Sequence, residues 1–458
     1  MAFNLRPYQQ DAIEAVQPLF TPPRPKRGLI SLATGLGKTV IFSEVAKHHP
    51  HRVLVLAHRD ELIQQAIEKL REQIPTERTI GCVMAQTDEK DADIVVASVQ
   101  TLRLPRLKRT WDPGTFSLII VDEAHHAAAP SYQSIFDYLQ PDVLLGVTAT
   151  PYRSDRVTLA KTFDRLLYHL GIREGIRDHW LVDLRPYRIH TDSDLDAVHT
   201  QGGDLADGEL ADAIDTPERN RMIVQATQDY AAQRPFIAFT ANVAHAQHLA
   251  EAYQHAGIAT AWIHADTPRD ERRSTLEAFK AGTIQGIANC GIFTEGFDAP
   301  WVQAIILARP TKSLPLFTQM VGRGTRPHPG KTDCVILDAV DNTRRQHIMS
   351  ITDLIGLEIP VESGASVAEA MDQEERKIPQ SYPLLQALEL PITVEEVPDL
   401  IAEWVATSTL PVGTWQTVAD NLEELKQDHQ TPWIDPTHSF SDTDPITDGQ
   451  RITLINYG

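Results

Sequence analysis

Ser31-Leu32-Ala33-Thr34-Gly35-Leu36-Gly37-Lys38-Thr39-Val40-Ile41-Phe42 (SLATGLGKTVIF) joins a short apolar run, Gly28–Leu32, to a stretch of helical periodicity, Lys38–Lys47. The segment therefore reads as strand, glycine turn, helix. Glycines in such a turn let the backbone come close to a ligand and aim successive N–H groups at it. At the positive end of the helix that follows, those groups suit phosphate oxygens. The phosphate-loop spacing asks for glycine at position 32, where this chain has Leu32. The loop Thr34, Gly35, Leu36, Gly37 is nonetheless expected to cradle a nucleotide. Lys38 is expected to reach its β- and γ-phosphates and Thr39 to ligate Mg²⁺.

The neighbouring sequence repeats the same rhythm. Val53–Ala57, Ile94–Ala97, Leu118–Val121 and Val143–Val147 are continuous apolar runs, as strands covered on both faces are. Helical periodicity fills Asp60–Gln73. From Thr150 to about Arg221 the rhythm lapses, and glycine and acid gather in Gln201-Gly202-Gly203-Asp204 and Asp207-Gly208-Glu209, as in a linker. It resumes with strands at Phe236–Thr240, Ala259–Ile263, Gly286–Asn289, Ala304–Ala308 and Cys334–Leu337, and helices at Asn242–Ala256 and Arg269–Ala281. Strands alternating with helices imply parallel sheets. The expected organisation is an α/β lobe over 1–180, a linker over 181–220, a second α/β lobe over 221–345 and an accessory segment over 346–458. In the last, short helices at Pro383–Leu390, Val397–Ala406 and Thr417–Gln427 and a strand at Arg451–Ile455 are expected. Trp404, Trp415 and Trp433 are read there as core residues.

Composition narrows the function classes. The apolar share of 42% supplies core for folded domains of this length. The first residues lack a signal peptide's pattern, and no run is long enough for a membrane span, so a cytoplasmic protein is expected. Cys82, Cys290 and Cys334 form no CxxC pair, so no zinc ribbon is expected. His48, His49 and His51 sit where a helix ends, and there they suit the dipole better than a metal. The net charge of −20 speaks against nucleic acid, but its distribution does not. Residues 346–458 hold 4 Lys+Arg against 20 Asp+Glu, whereas residues 1–345 hold 38 against 42. The first 345 residues are nearly neutral, which leaves room for a basic groove.

Two further clusters complete a chemistry. Asp122-Glu123 ends the run Leu118–Val121, where a carboxylate stands beside the phosphate loop. Asp122 can hold Mg²⁺, and Glu123 can orient and deprotonate a water. In the second lobe, Gln319-Met320-Val321-Gly322-Arg323-Gly324-Thr325-Arg326 places two arginines three apart. On a helix they share a face and reach a γ-phosphate across a cleft, with Gln319 positioning phosphate or water.

The ordered set of motifs resembles a superfamily 2 helicase motor. LRPYQQ (Leu5–Gln10) resembles the adenine-recognition motif, and LATGLGKT motif I, where position 32 varies. VLAHRDEL (Val55–Leu62) and SVQTL (Ser98–Leu102) resemble motifs Ia and Ib. DEAH (Asp122–His125) matches motif II, and TATP (Thr148–Pro151) motif III. FIAFT (Phe236–Thr240) stands at motif IV, TEGFDAP (Thr294–Pro300) at motif V, and QMVGRGTR at motif VI. Within the superfamily, LRPYQQ, TEGFDAP and VGRGTRPHPGKTDCVILD look most like the RadD-like branch, related to XPB-type helicases and restriction-enzyme motors. RadD-like proteins carry zinc-binding cysteines after the motor, and this chain has none. No nuclease motif is visible either.

The resemblance implies two tandem RecA-like lobes with ATP and Mg²⁺ between them, followed by a small, acidic, mainly helical segment. It implies that Gln9 reads the adenine edge with Arg6 packing on the base. Gly296 and Asp298 would line the cleft from the second lobe. His125, Thr148 and Thr150 would couple the nucleotide to the nucleic-acid track, and Arg59, Thr101, Thr240 and Thr294 would contact strand phosphates. His264 is a further candidate contact. The activity implied is an ATP-dependent helicase or translocase on single-stranded or branched DNA, in repair or remodelling. Two other readings stand beside it: a nucleic-acid-gated ATPase switch or motor subunit that separates no strands, with a protein partner on the acidic segment, and an RNA helicase.

Overall fold

The computed structural model describes residues 5–23, 26–58, 60–74, 78–150, 159–293, 299–342, 348–357 and 361–377. Arg59, Thr294, Gly296 and Asp298 lie outside the described residues. So do the expected helices, tryptophans and final strand after residue 377. Residues 1–355 and 359–370 form one compact unit.

The first sheet has eight strands: β1 (Lys26–Leu32), β2 (Val53–Ala57), β3 (Ile80–Met84), β4 (Thr87–Asp88), β5 (Ile94–Ser98), β6 (Leu118–Asp122), β7 (Val143–Thr148) and β8 (Arg165–Leu170). Their order is β4-β3-β5-β2-β6-β7-β1-β8, parallel throughout except for the β3–β4 hairpin. Every residue of β2, β5, β6 and β7 is buried, which is why these strands read as unbroken apolar runs. Because β6, β7 and β1 are neighbours, the loops leaving them stand side by side. Those loops begin at Glu123, Ala149 and Ala33, so one strand order gathers three motifs that lie far apart in the chain.

The remaining strands are β9 (Asp183–Asp194), β10 (Thr200–Gln201), β11 (Asp204–Leu205), β12 (Phe236–Phe239), β13 (Thr260–His264), β14 (Gly286–Cys290), β15 (Ala304–Leu307) and β16 (Asp333–Asn342). The second sheet runs β13-β14-β12-β15-β16-β9, all parallel. β10 and β11 form a separate hairpin. The two parallel sheets bear out the expected RecA-like lobes.

One reading needs correction. The stretch taken as a linker over 181–220 opens with β9, which pairs along nearly its whole length with β16. β9 is polar, contains Pro186 and lies at the sheet edge, where charge and proline are tolerated. An edge strand with one open side lacks the apolar run that marked the central strands. The same stretch also holds the hairpin and the helices Asp207–Ile214 and Pro217–Tyr230. Each lobe has its own apolar core, and Leu195, Leu205, Leu210 and Ile214 form a third cluster. Among the described residues no helix is long and apolar enough to cross a membrane.

Candidate active site

The loop Thr34–Gly37 turns on two left-handed glycines, Gly35 (φ +96°) and Gly37 (φ +80°), a conformation that a Cβ disfavours. Lys38 then opens the helix Lys38–His48, and Thr39 lies in its first turn. The Lys38 Nζ is 3.5 Å from Glu123 Oε1. Glu123 is itself strained, at φ +49°, and 5% exposed. Such strain in a non-glycine residue is held by its surroundings and recurs at functional sites. Here it follows the end of β6 and brings the carboxylate to the phosphate loop. Asp122 is equally buried, and its Oδ1 accepts the Glu123 N–H at 3.0 Å. The hydroxyl of Thr39 and the carboxylate of Asp122 are hard oxygen donors and fit Mg²⁺.

The three residues expected to couple nucleotide and strand come together. His125 Nδ1 lies 3.4 Å from Glu123 Oε2 and 3.2 Å from Thr148 Oγ1. Thr148 Oγ1 donates to the Thr150 carbonyl at 2.9 Å and accepts the Thr150 N–H at 3.2 Å. Hydrogen bonds thus link His125 to the loop after β7, and the Glu123 carboxylate at the end of β6 lies beside the same imidazole.

Gln9 and Arg6 are tied to the same loop. Tyr8 Oη and Gln9 Nε2 both donate to the Leu36 carbonyl, at 2.9 and 3.3 Å, and Gln9 Oε1 accepts the Arg6 N–H at 3.0 Å. A Cβ on Gly37 would meet Gln9 Nε2 at 2.7 Å, so glycine lets this amide sit under the loop.

The second lobe closes on the loop directly. A Cβ on Gly322 would lie 2.5 Å from Thr34 Cβ, and one on Gly35 would lie 3.0 Å from Arg326 Cγ. Thr325 Oγ1 donates to the Thr34 carbonyl at 3.4 Å, and the Thr325 carbonyl accepts Val182 N–H at 2.8 Å. Gln319 and Arg323 are each 6% exposed. The expectation that Arg323 and Arg326 share a helix face is corrected. The helix Leu314–Gly322 ends before them; Arg323 caps it and Arg326 lies in the following bend. Glycine is needed at 324, since a Cβ there would meet Cys334 Sγ at 2.3 Å. The chain is drawn against β16 and delivers Arg326 to Gly35 by a turn.

The expected strand contacts are less uniform. Thr101 is half-buried, and its Oγ1 accepts the Ala85 N–H at 3.1 Å. Thr240 is only 2% exposed and donates its hydroxyl to the Asn289 carbonyl at 2.9 Å, so its side chain serves the sheet end. His264 stacks on Trp262, with ring centroids 5.4 Å apart. His48 bonds locally to the Glu44 carbonyl at 3.0 Å, and His49 bonds to Ser117 Oγ at 2.7 Å, 68 residues along the chain.

Three aromatic residues were missed by reading the sequence. His126 packs against His125 at 4.1 Å and edge-on to His58 at 4.3 Å, so three packed histidines join motif II to motif Ia. Trp180 packs edge-on to Tyr8 at 5.1 Å, with Arg6 over its ring at 5.7 Å. The doubled histidine after Asp122-Glu123-Ala124 was a visible signal. Trp180 had none, because only the tertiary path from β8 to β9 brings it to the first helix.

A family model described as type III restriction enzyme, res subunit, matches residues 2–153, and one described as helicase conserved C-terminal domain matches 218–328. The chain belongs to the superfamily 2 helicases, in the branch that contains the restriction-enzyme motors. It is 35% identical over 373 residues to a Saccharomyces cerevisiae protein named as the ATP-dependent helicase IRC3, covering 77% of this chain and 54% of that one. It is 26% identical over 351 residues to the endonuclease subunit of the Escherichia coli type I restriction enzyme EcoAI, covering 68% and 43%. In fold it is similar to a fragment described as a type I restriction enzyme HsdR subunit from Vibrio vulnificus YJ016. That match has a TM-score of 0.56 and 24% identity and covers 72% and 63% of the two chains. The chain spans little more than half the length of the two yeast relatives it matches, 54% and 60%.

Proposed function

We propose that the chain is an ATP-dependent translocase and helicase acting on DNA, in repair or remodelling. The observation that carries this reading is the seat of Gly322–Arg326 on Thr34–Gly35, opposite the Lys38–Glu123 pair. It supports a reading in which the loop, the base Glu123 and the arginines serve one site. In this reading Lys38 holds the β- and γ-phosphates, and Glu123 takes the proton of the attacking water. Arg323 and Arg326 stabilise charge developing on the transferred phosphoryl group, and Gln319 positions it. Thr39 and Asp122 would hold Mg²⁺, which would supply neutralisation of phosphate charge. Gln9, Tyr8, Arg6 and Trp180 surround the base. The chain Glu123–His125–Thr148–Thr150 reports the state of the nucleotide to the strand track. Nucleic acid is held through its phosphates, so binding is independent of sequence and sensitive to salt.

DNA is favoured over RNA by the similarity to restriction-enzyme endonuclease subunits. The acidic segment after residue 346 is the proposed surface for a protein partner. The compartment proposed is the cytoplasm; the Schizosaccharomyces pombe relative is named as mitochondrial, and cell fractionation tests which holds. The deciding experiment measures phosphate release with no polymer, with single-stranded DNA and with RNA, alongside displacement of a strand from 3′- and 5′-tailed duplexes. Stimulation by DNA with displacement is expected. Stimulation without displacement would replace the helicase by a gated ATPase, and no stimulation by either polymer would end the reading.

A further inference from the structure

The helix that delivers Arg323 starts at Leu314, and its start is held from outside the second sheet. Gly202 (φ +61°) and Gly203 (φ +90°) turn the β10–β11 hairpin, a two-residue turn that requires positive φ at both positions. The hairpin fixes Asp204. Its Oδ1 accepts the Lys312 N–H at 2.7 Å, and its Oδ2 accepts Thr311 Oγ1 at 2.7 Å and Arg309 Nη2 at 3.3 Å. Arg309 also reaches Asp207 Oδ1 at 2.8 Å, and Lys312 Nζ donates to Thr200 Oγ1 at 2.9 Å. From Asp204 the chain of bonds continues inward. Thr311 Oγ1 accepts the Ser313 N–H at 3.0 Å, and Ser313 Oγ accepts the Leu316 N–H at 3.4 Å, capping the helix.

Nothing in the phosphate chemistry needs a carboxylate at this place, yet one carboxylate binds polar groups of three residues, Arg309, Thr311 and Lys312, in the loop after β15. Charge-assisted bonds of this kind are short and directional, and they hold geometry more firmly than neutral ones. The helix has 9 residues, so it is about 13 Å long at 1.5 Å per residue. A tilt of about 5° at its start moves its far end by roughly 1 Å. A misplacement of that size in a catalytic group costs on the order of 10²-fold in rate.

We propose that Asp204 is a positioning residue. It fixes the first turn of the helix Leu314–Gly322 and thereby the alignment of Arg323 against the phosphate loop. This rests on the function proposed above, in which Arg323 acts on the phosphoryl group. The test uses the full chain and steady-state phosphate release from radiolabelled ATP, comparing Asp204→Asn, Asp204→Ala, Arg323→Ala and the double variant Asp204→Ala/Arg323→Ala. The Asp204 variants should lose about 10–100-fold in kcat. Their KM for ATP and their affinity for a fluorescent nucleotide should change less than about 3-fold, because the phosphate loop is untouched. In the Arg323→Ala background the loss of Asp204 should cost less than about 3-fold more, because the group it aligns has gone. Full additivity of the two single effects, or an unchanged kcat in the Asp204 variants, would overturn the proposal. If Arg323→Ala retains full turnover, the assignment of the cleft fails together with the proposal; if Arg323→Ala is impaired and the effects are additive, only the positioning role fails. Should Asp204→Ala not fold, Thr311→Val removes one donor to the carboxylate without removing the charge. It should lower kcat selectively, and a wild-type kcat there would count against the proposal.

Discussion

Gly322 and Thr34 approach across the cleft so closely that only a hydrogen fits between them. A Cβ on Gly322 would lie 2.5 Å from Thr34 Cβ and 3.0 Å from Thr34 Cγ2. The contact joins the last residue of the arginine helix to the phosphate loop of the other lobe. Gly322→Ala forces the Thr34 loop and the helix end to shift, and this overpacking offsets the roughly 1 kcal/mol by which alanine is preferred to glycine in a helix. The thermal midpoint should be unchanged or lower, while kcat falls by about 10–100-fold as the lobes are held apart. A variant with wild-type turnover would show that this contact does not belong to the working state.

The Lys38–Glu123 pair gives two different losses. Glu123→Gln keeps the shape of the side chain but cannot take a proton, so kcat should fall by on the order of 10²–10⁴-fold with nucleotide affinity retained. Lys38→Ala removes the cation proposed to meet the phosphates, so nucleotide affinity itself should drop. Isothermal titration with a non-hydrolysable ATP analogue, beside phosphate release, distinguishes the two. Equal affinity loss in both variants would contradict the separate roles.

Thr148 joins His125 to Thr150 through one hydroxyl. Thr148→Val keeps the volume and deletes these bonds. The expected outcome is a ratio of DNA-stimulated to basal hydrolysis reduced by about 10-fold or more, consistent with the 1–3 kcal/mol usual for coupling between sites. An unchanged ratio would place the coupling elsewhere, and the packed histidines His125, His126 and His58 would be the next path to test.

Lys331 gives a pH signature. It is buried, with its Nζ donating to the Pro300 carbonyl at 3.2 Å. Burial pushes its amine from 10.5 down to about 8; Cys334 and Asp333 oppose this, and Arg326 adds to it. Between about pH 8 and 10.5 the folded chain has released a proton that the unfolded chain keeps. The unfolded state then binds more protons, so stability rises with pH across that window. Below pH 8 both states are protonated and the folded state carries the cost of the buried charge. Lys331→Met should therefore raise stability at pH 7 by on the order of 1–3 kcal/mol and flatten the rise above pH 8. Urea unfolding of both proteins between pH 7 and 10 checks this, and parallel pH profiles would refute it.

The sequence by itself determined the two α/β lobes and the identity of the chemistry. The central strands β2, β5, β6, β7, β12, β14 and β15 are covered on both faces, so burial alone writes them as apolar runs. The phosphate loop and Asp122-Glu123 are equally legible, because each needs fixed residue types at neighbouring positions. Where a residue's environment comes from distant chain, the reading failed. β9 reads as a linker because an edge strand can be polar. Asp204 sits in a glycine-rich stretch, and its partners lie more than 100 residues away. Arg323 and Arg326 were expected on one helix face, but the helix ends at Gly322, and it is a turn that brings Arg326 to Gly35. Local periodicity encodes which surfaces are buried; which groups meet across a cleft follows from strand order and from close approaches that glycine permits.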